Sequence, residues 1–169
     1  MKINNFIKFA AAILLLWTVC AVLFSGCTRD NRINTAELER RMAQADDRLA
    51  FFDGEVFCRK ETYYTYFSLL SEKDVLMTVK EDGYGRVKRV TVTSDEKNAS
   101  SGGGFVLVCE AAAAALLPEK TDIGQISSAV GLTDTSNADE AGFAEFEIGK
   151  VTFWTYRGRN TVTFCVDIE

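Results

Sequence analysis

The chain of 169 residues contains no histidine and a single proline. Without histidine, Ser-His-Asp triads, Cys-His pairs, histidine zinc sites and the usual pH switch near neutrality are excluded. One proline and a mean hydropathy of zero argue against a long disordered stalk. No motif for a phosphate loop or for a known catalytic constellation is present. The sequence therefore predicts no metal, no cofactor and no particular reaction.

Positive charge is also scarce, since 19 Lys and Arg face 24 Asp and Glu, for a net charge of −5. Proteins that bind nucleic acid must neutralise phosphates with Lys and Arg. We therefore do not expect a nucleic-acid partner.

The N-terminal stretch, residues 1–27, is the most informative part of the sequence. Lys2 and Lys8 are its only charges, and a run of 16 residues over 9–24 follows that is apolar except for one threonine. As a helix this run is about 24 Å long, whereas a bilayer core is about 30 Å thick. Two small residues then lead to Cys27. This order is typical of an export signal that is cleaved.

The last five residues of this stretch, Leu23-Phe24-Ser25-Gly26-Cys27, resemble the lipobox of bacterial membrane lipoproteins. The chain departs from the usual pattern at Phe24, where leucine is common, and Leu23 lies one place earlier. The resemblance implies cleavage between Gly26 and Cys27, followed by attachment of diacylglycerol and further acyl chains, such as palmitate, to Cys27. It also implies a lipid-anchored protein on the extracytoplasmic side of the cell membrane. The alternative is an uncleaved signal anchor, with the same sidedness.

Three segments follow from this interpretation. We expect a signal peptide at 1–26, a short lipid-anchored tether at 27–33, and a single α+β domain at 34–169. About 140 residues suffice for one domain with a proper core and not comfortably for two.

The predicted fold class is α+β. An antiparallel sheet, built from a meander and a C-terminal hairpin, carries an N-terminal amphipathic helix and two central helices packed on it. Asn34, with Glu37 three residues later, is the expected cap of the first helix, and Thr121 that of the third. In the first helix we expect an i,i+4 ion pair between Glu37 and Arg41 and an end at Gly54. Its apolar stripe consists of Leu38, Met42, Ala45, Leu49 and Phe52.

The predicted helices are 35–52, 105–117 and a short one beginning after Thr121; the predicted strands are 55–60, 62–70, 75–79, 86–93, 143–148, 151–156 and 161–168. A loop is expected over 94–104, and the helix 105–117 is expected to be buried. The last strand alternates, so one of its faces should be buried, namely the face of Val162, Phe164, Val166 and Ile168.

Three cysteines, Cys58, Cys109 and Cys165, remain in the predicted domain. Because three is odd, at most one internal disulfide forms. All three lie among apolar residues without CxxC spacing, so we predict core cysteines, with one structural disulfide as the alternative.

Aromatic residues supply the candidate ligand contacts. Trp154 and Tyr156 are expected on one face of their strand, and Tyr64 and Tyr66 lie in the aromatic segment 62–70. Flat rings beside polar groups bind sugar rings, and Tyr and Trp also anchor protein interfaces. The alternative is that these rings fill the core and the sheet faces.

Glu110 is the one carboxylate inside an otherwise apolar helix. It either reaches solvent, pairs with a Lys or Arg, or has a raised pKa and acts as an acid. The favoured function is a non-catalytic binding or accessory module for a protein, peptide or glycan at the cell envelope. The alternatives are a carboxylate-based hydrolase of cell-wall glycan that uses Glu110, and a purely structural envelope component.

Overall fold

The described part of the chain begins at Arg32, beyond the predicted signal peptide. The computed structural model describes residues 32–49, 53–57, 62–67, 75–95, 99, 104–118, 120–132 and 142–169. They belong to one compact unit, Arg32–Glu169. The predicted lipid site at Cys27 and the thiol of Cys58 lie outside the described residues.

Helix α1 (Thr35–Ala45) begins as predicted. The Asn34 Oδ1 accepts a hydrogen bond from the Glu37 N–H at 2.8 Å, which satisfies one of the free donors of the first turn. Glu37 also forms the predicted i,i+4 ion pair with Arg41, at 2.7 Å.

The C-terminal end of α1 differs from the predicted helix over 35–52, because the helix ends at Ala45. Asp46 has an extended backbone, and its carboxylate accepts hydrogen bonds from the backbone and the guanidinium of Arg48. This local turn competes with the next helical turn. Leu49 is buried, as its place on the apolar stripe predicts, although it lies outside the helix.

Seven antiparallel strands form one sheet in the order β1-β2-β3-β4-β7-β6-β5. The first four strands form the predicted meander, and the last three form a second meander that joins the first through the β4–β7 pair. The strands are β1 (Asp53–Phe57), β2 (Thr62–Phe67), β3 (Val75–Glu81), β4 (Val87–Asp95), β5 (Gly142–Ile148), β6 (Val151–Arg157) and β7 (Thr161–Ile168).

The strand ends differ from prediction mainly in the first half of the sheet. Gly54, which we expected to end α1, lies within β1. Strand β4 continues to Asp95, past the loop predicted from Ser94, because its last residues pair with β7. Cross-strand hydrogen bonds thus extend a strand into a segment whose composition favours a loop.

Helices α2 (Gly104–Leu116) and α3 (Ile123–Ala129) separate the two meanders. The prediction of a buried central helix is confirmed, since most of α2 is inaccessible. The predicted cap of α3 at Thr121 is wrong. Asp122 is the cap, and its Oδ1 accepts the Gln125 N–H at 3.2 Å.

The helices pack on one face of the sheet, which we call the covered face. Alternation on β7 predicts this face, because every second residue of that strand is buried against the helices. The fold class is therefore α+β, as predicted, with helices packed on an antiparallel sheet. The largest fully buried side chains include Phe105, Phe153, Phe164, Leu38, Met42 and Ile126.

Two charged side chains are buried and hold helix ends to the sheet. Glu81 at the end of β3 is 6% exposed and accepts hydrogen bonds from the backbone N–H and the hydroxyl of Thr35, in the first turn of α1. Arg157 on β6 donates to the carbonyls of Gly131 and Leu132, just past α3. A carboxylate at a helix N-terminus and a cation at a C-terminus both complement the helix dipole.

In the part of the chain that the structure describes, no helix is long and apolar enough to span a bilayer.

Candidate functional site

The second face of the sheet carries none of the described helices, and we call it the open face. Its central side chains come from alternate residues of five strands, opposite in direction to the buried set. They are Leu76, Thr78 and Lys80 on β3; Arg89, Thr91 and Thr93 on β4; Thr163, Cys165 and Asp167 on β7; Thr152, Trp154 and Tyr156 on β6; and Phe143, Glu145 and Glu147 on β5.

Strand register divides the open face into two chemically different ends. At one end lies a charged row, in which consecutive strands place Lys80, Arg89, Asp167, Thr152 and Glu147 side by side. At the other end lies an apolar row, formed by Leu76, Thr93, Thr163, Tyr156 and Phe143.

Two aromatic rings of the apolar row are strongly exposed. Phe143 is 63% exposed and Tyr156 is 47% exposed. The Phe143 ring lies 6.1 Å from that of Trp154, at an angle of 33°. Since large exposed apolar patches usually mark contacts, this cluster is the strongest candidate interaction surface among the described residues.

Asp167 is the centre of a hydrogen-bond network on the open face. Its Oδ2 accepts the indole N–H of Trp154 at 3.0 Å, and its Oδ1 accepts the Nε–H of Arg89. Burial raises the pKa of Asp167, but the hydrogen bonds from Arg89 and Trp154 outweigh this, so the pKa lies below its usual range. A charged Asp167 thus fixes the orientation of the Trp154 ring.

Cys165 lies beneath this network and is fully buried although its side chain points to the open face. Its thiol donates to Asp167 Oδ2 at 3.8 Å and lies 3.6 Å from the Thr91 hydroxyl. Burial raises the pKa of the Cys165 thiol to about 12 and that of Cys109 well above its usual value. Both thiols are free and buried, so the prediction of core cysteines holds for these two, and they do not form a disulfide.

The structure brings only two of the four predicted ligand contacts together. Trp154 and Tyr156 share the open face with Thr152, as alternation predicts. Tyr64 instead packs against the core under the helices, so it fills the covered face. Tyr66 is paired with Met77 and occupies a position of that same face, while its side chain lies outside the described residues.

Glu110 lies in a second site, between the helices. It is half-buried and accepts a hydrogen bond from the Ser127 hydroxyl of α3 at 2.7 Å. It is therefore only partly exposed, and its hydrogen-bond partner among the described residues is a hydroxyl, whereas we expected a Lys or Arg. Ser127 is itself 3% exposed, so this hydrogen bond satisfies a buried hydroxyl.

A pocket of about 240 Å³ opens beside Glu110. Asp46 also lines it, and hydrogen bonds from the Arg48 side chain and backbone lower the pKa of Asp46 to about 2. Asp46 is therefore ionised at any physiological pH. The remaining lining is apolar and consists of Ala45, Leu107, Ala111, Ala114 and Ile123.

Within the described residues, no three metal-ligating side chains of the His, Cys, Asp or Glu type lie close enough together to hold a metal ion.

Sequence reasoning missed Arg89 and Asp167 as parts of the site. Asp167 is recognisable as a polar residue on the wetter side of β7, and a half-buried tryptophan usually needs a partner for its N–H. The pairing itself depends on the register between β4, β7 and β6, which no local pattern contains.

The chain matches no protein-family model, no curated protein and no solved structure.

Proposed function

We propose that this protein is a non-catalytic binding module, held at the extracytoplasmic face of a bacterial cell membrane by a lipid on Cys27. Its partner is a protein, peptide or glycan of the cell envelope. The partner contacts the open face of the sheet at Trp154, Tyr156 and Phe143.

One observation carries the binding part of this proposal, namely the fixed orientation of Trp154 beside two exposed rings. Asp167 accepts the indole N–H, and Arg89 holds Asp167 in place from the neighbouring strand. A side chain that is already ordered loses little conformational entropy when a partner binds. Trp and Tyr are also the residues that most often dominate binding energies at interfaces.

The anchoring part of the proposal rests on the N-terminal sequence alone. The charged start, the short apolar run and the lipobox-like residues 23–27 support it. Intact-mass measurement of the membrane-extracted protein tests it. We expect a mass that exceeds the chain starting at Cys27 by a diacylglyceryl group and acyl chains, and loss of this addition in Cys27→Ala. An unchanged mass together with retained membrane association in Cys27→Ala would contradict the lipid anchor.

Trp154 itself provides the binding assay. The chain has two tryptophans, and the other, Trp17, lies in the predicted signal peptide. Emission from the mature protein therefore reports the open face directly. We expect the emission to change on titration with the cognate ligand, tested with soluble peptidoglycan fragments in one series and envelope-derived peptides in another.

Two matched tyrosine variants locate the binding surface. Tyr156→Ala should weaken binding by about tenfold or more, the usual size for an interface anchor. Tyr84→Ala removes a tyrosine that is 83% exposed but lies in the β3–β4 turn, so it should leave the affinity unchanged. Equal effects of the two substitutions would contradict a site on the open face.

The pocket beside Glu110 favours a second candidate function, a carboxylate-based hydrolase of cell-wall glycan. Two carboxylates, those of Asp46 and Glu110, line the same pocket. One ionised carboxylate and one proton donor are the usual pair in such enzymes. Glycan hydrolysis that Glu110→Gln abolishes, while Glu145→Gln on the open face leaves it intact, would establish this alternative over the binding module.

A further inference from the structure

The β3–β4 turn, residues 82–86, is the place where the chain enters the folded domain. The Arg32 guanidinium lies 3.4 Å from the Asp82 carboxylate, and the Ile33 carbonyl accepts the Val87 N–H at 2.8 Å. The first two described residues are thus fixed to the two sides of this turn.

The turn itself is built to hold its tip in one shape. Asp82 Oδ1 accepts the backbone N–H groups of Tyr84 and Arg86, and Oδ2 accepts the Arg86 side chain. Gly85 has a φ of +71°, a conformation that side chains rarely adopt. The Asp82 carboxylate is therefore engaged inside the turn.

Tyr84 projects from this tip and is 83% exposed, more than any other large apolar residue among those described. The Arg86 guanidinium lies 4.8 Å from the centre of its ring. Lys88, the next basic residue along the chain, is exposed as well. Arg86 is itself half-buried and paired with Asp82, so Tyr84 and Lys88 are the exposed side chains here. An exposed amphipathic ring near an exposed lysine suits an interface with lipid headgroups.

We propose that this turn lies against the membrane, with the Tyr84 ring at headgroup level and Lys88 beside lipid phosphates. The inference rests on the proposed lipid at Cys27. Only four residues lie between Cys27 and Arg32, and the five Cα–Cα steps reach about 18 Å in a fully extended chain. The turn that contacts Arg32 is therefore always close to the bilayer surface.

The neighbouring β5–β6 turn fits this contact less well. It lies at the same end of the sheet, with Lys150 exposed at its tip. However, the backbone N–H of Glu169 donates to the Lys150 carbonyl, which places an exposed acid beside that lysine. The β3–β4 turn is the better match for anionic headgroups.

In this orientation the charged row of the open face lies towards the membrane and the apolar row lies away from it. Rows of the open face are about 6.6 Å apart along the strands. Because the apolar row lies two rows beyond the charged row, Tyr156 and Phe143 are about 13 Å farther from the membrane than the charged row is. A partner then meets the exposed rings from the side that is remote from the lipid.

Depth-dependent quenching tests the orientation. Two variants of the lipidated protein, each beginning at Cys27, carry a single tryptophan. Both have the substitution Trp154→Phe; one adds Tyr84→Trp and the other adds Tyr156→Trp. Each is reconstituted into phosphatidylglycerol vesicles whose lipids carry a nitroxide quencher near the headgroup. We expect a blue shift and loss of emission for Tyr84→Trp, and unchanged emission for Tyr156→Trp.

The outcomes distinguish a wrong orientation of the domain from a missing lipid anchor. Equal quenching at both positions, or none at position 84 in protein that floats with the vesicles, would overturn the orientation and leave the anchor intact. Phosphatidylcholine vesicles and Lys88→Ser should both reduce the quenching at position 84. A mature chain without added lipid mass overturns the proposed anchor, and this inference with it.

Discussion

The two faces of the sheet are built from the same strands but by different kinds of interaction. On the covered face, Phe153, Phe164 and Val166 are fully buried against the helices. On the open face, threonines, rings and paired charges alternate with them, and Phe143 and Tyr156 are the most exposed aromatic side chains among the described strand residues.

The difference separates what holds the fold from what is available for function. Burial of a large apolar side chain contributes about 1.5–3 kcal/mol, whereas an exposed ion pair contributes about 0–1 kcal/mol. The Arg89–Asp167–Trp154 network therefore adds little to stability, although three side chains are ordered for it. Side chains that are ordered without adding much to stability suit a binding surface, because they lose little conformational entropy when a partner binds.

The largest test of this division compares two neighbours on β7 whose side chains point to opposite faces. Phe164→Ala leaves a cavity in the core and should lower the free energy of unfolding by about 3–5 kcal/mol. Thr163→Ala, on the open face, should cost less than about 1 kcal/mol. Urea denaturation of both variants measures the contrast. Similar costs for the two substitutions would show that the open face is also part of the core.

The next test concerns Glu81, a charged residue that nevertheless belongs to the covered side. Its carboxylate accepts two hydrogen bonds from Thr35 and is nearly inaccessible. Glu81→Ala should therefore cost about 1.5–3 kcal/mol, the usual range for hydrogen bonds to a charged group. Denaturation of Glu81→Ala beside Glu145→Ala, an exposed glutamate of the open face, is the measurement. A cost for Glu81→Ala no larger than that of its control would mean that α1 does not depend on this contact.

Local patterns predicted most of the fold, because they record which residues a strand or helix turns inwards. Asn34 with Glu37 gave the start of α1, and the alternation along β7 gave the covered face before the helices were known. The same alternation placed Trp154 and Tyr156 together, since residues two apart on a strand share a face.

What local patterns could not supply are contacts between residues far apart in the chain. Thr35 and Glu81 are 46 positions apart, and Arg89 and Asp167 are 78 apart. Their meeting depends on how the strands pair, and a shift of one residue would reverse every side chain. The position of Tyr64 on the covered face depends on the same pairing, because the register between β2 and β3 sets its side of the sheet.

Replacement of Thr155 should have a smaller effect and should increase the free energy of unfolding. Its hydroxyl is buried on the covered face, and no described residue offers it a hydrogen bond. Thr155→Val keeps the shape and removes the unsatisfied group, so it should raise the free energy of unfolding by about 1 kcal/mol. Thr163→Val, on the next strand but the open face, should change it by less than about 0.5 kcal/mol. Destabilisation by Thr155→Val would indicate that the hydroxyl has a partner, such as a buried water.

The smallest effect concerns the charge of Asp167, whose contribution to the stability is lost only in acid. Because its pKa is lowered in the folded protein, its charged form stabilises the fold fully above the unfolded value of about 3.9. This contribution disappears as the pH falls through the folded pKa, that is, below about pH 4. The stabilities of the wild type and Asp167→Asn should therefore differ at pH 6 and converge towards pH 2. Denaturation at both pH values, followed by Trp154 emission, measures this difference, and Glu145→Gln serves as the control because it leaves the hydrogen bonds to Asp167 untouched. A constant difference between the wild type and Asp167→Asn across this range would mean that the carboxylate orients Trp154 without its charge contributing to the stability of the open face.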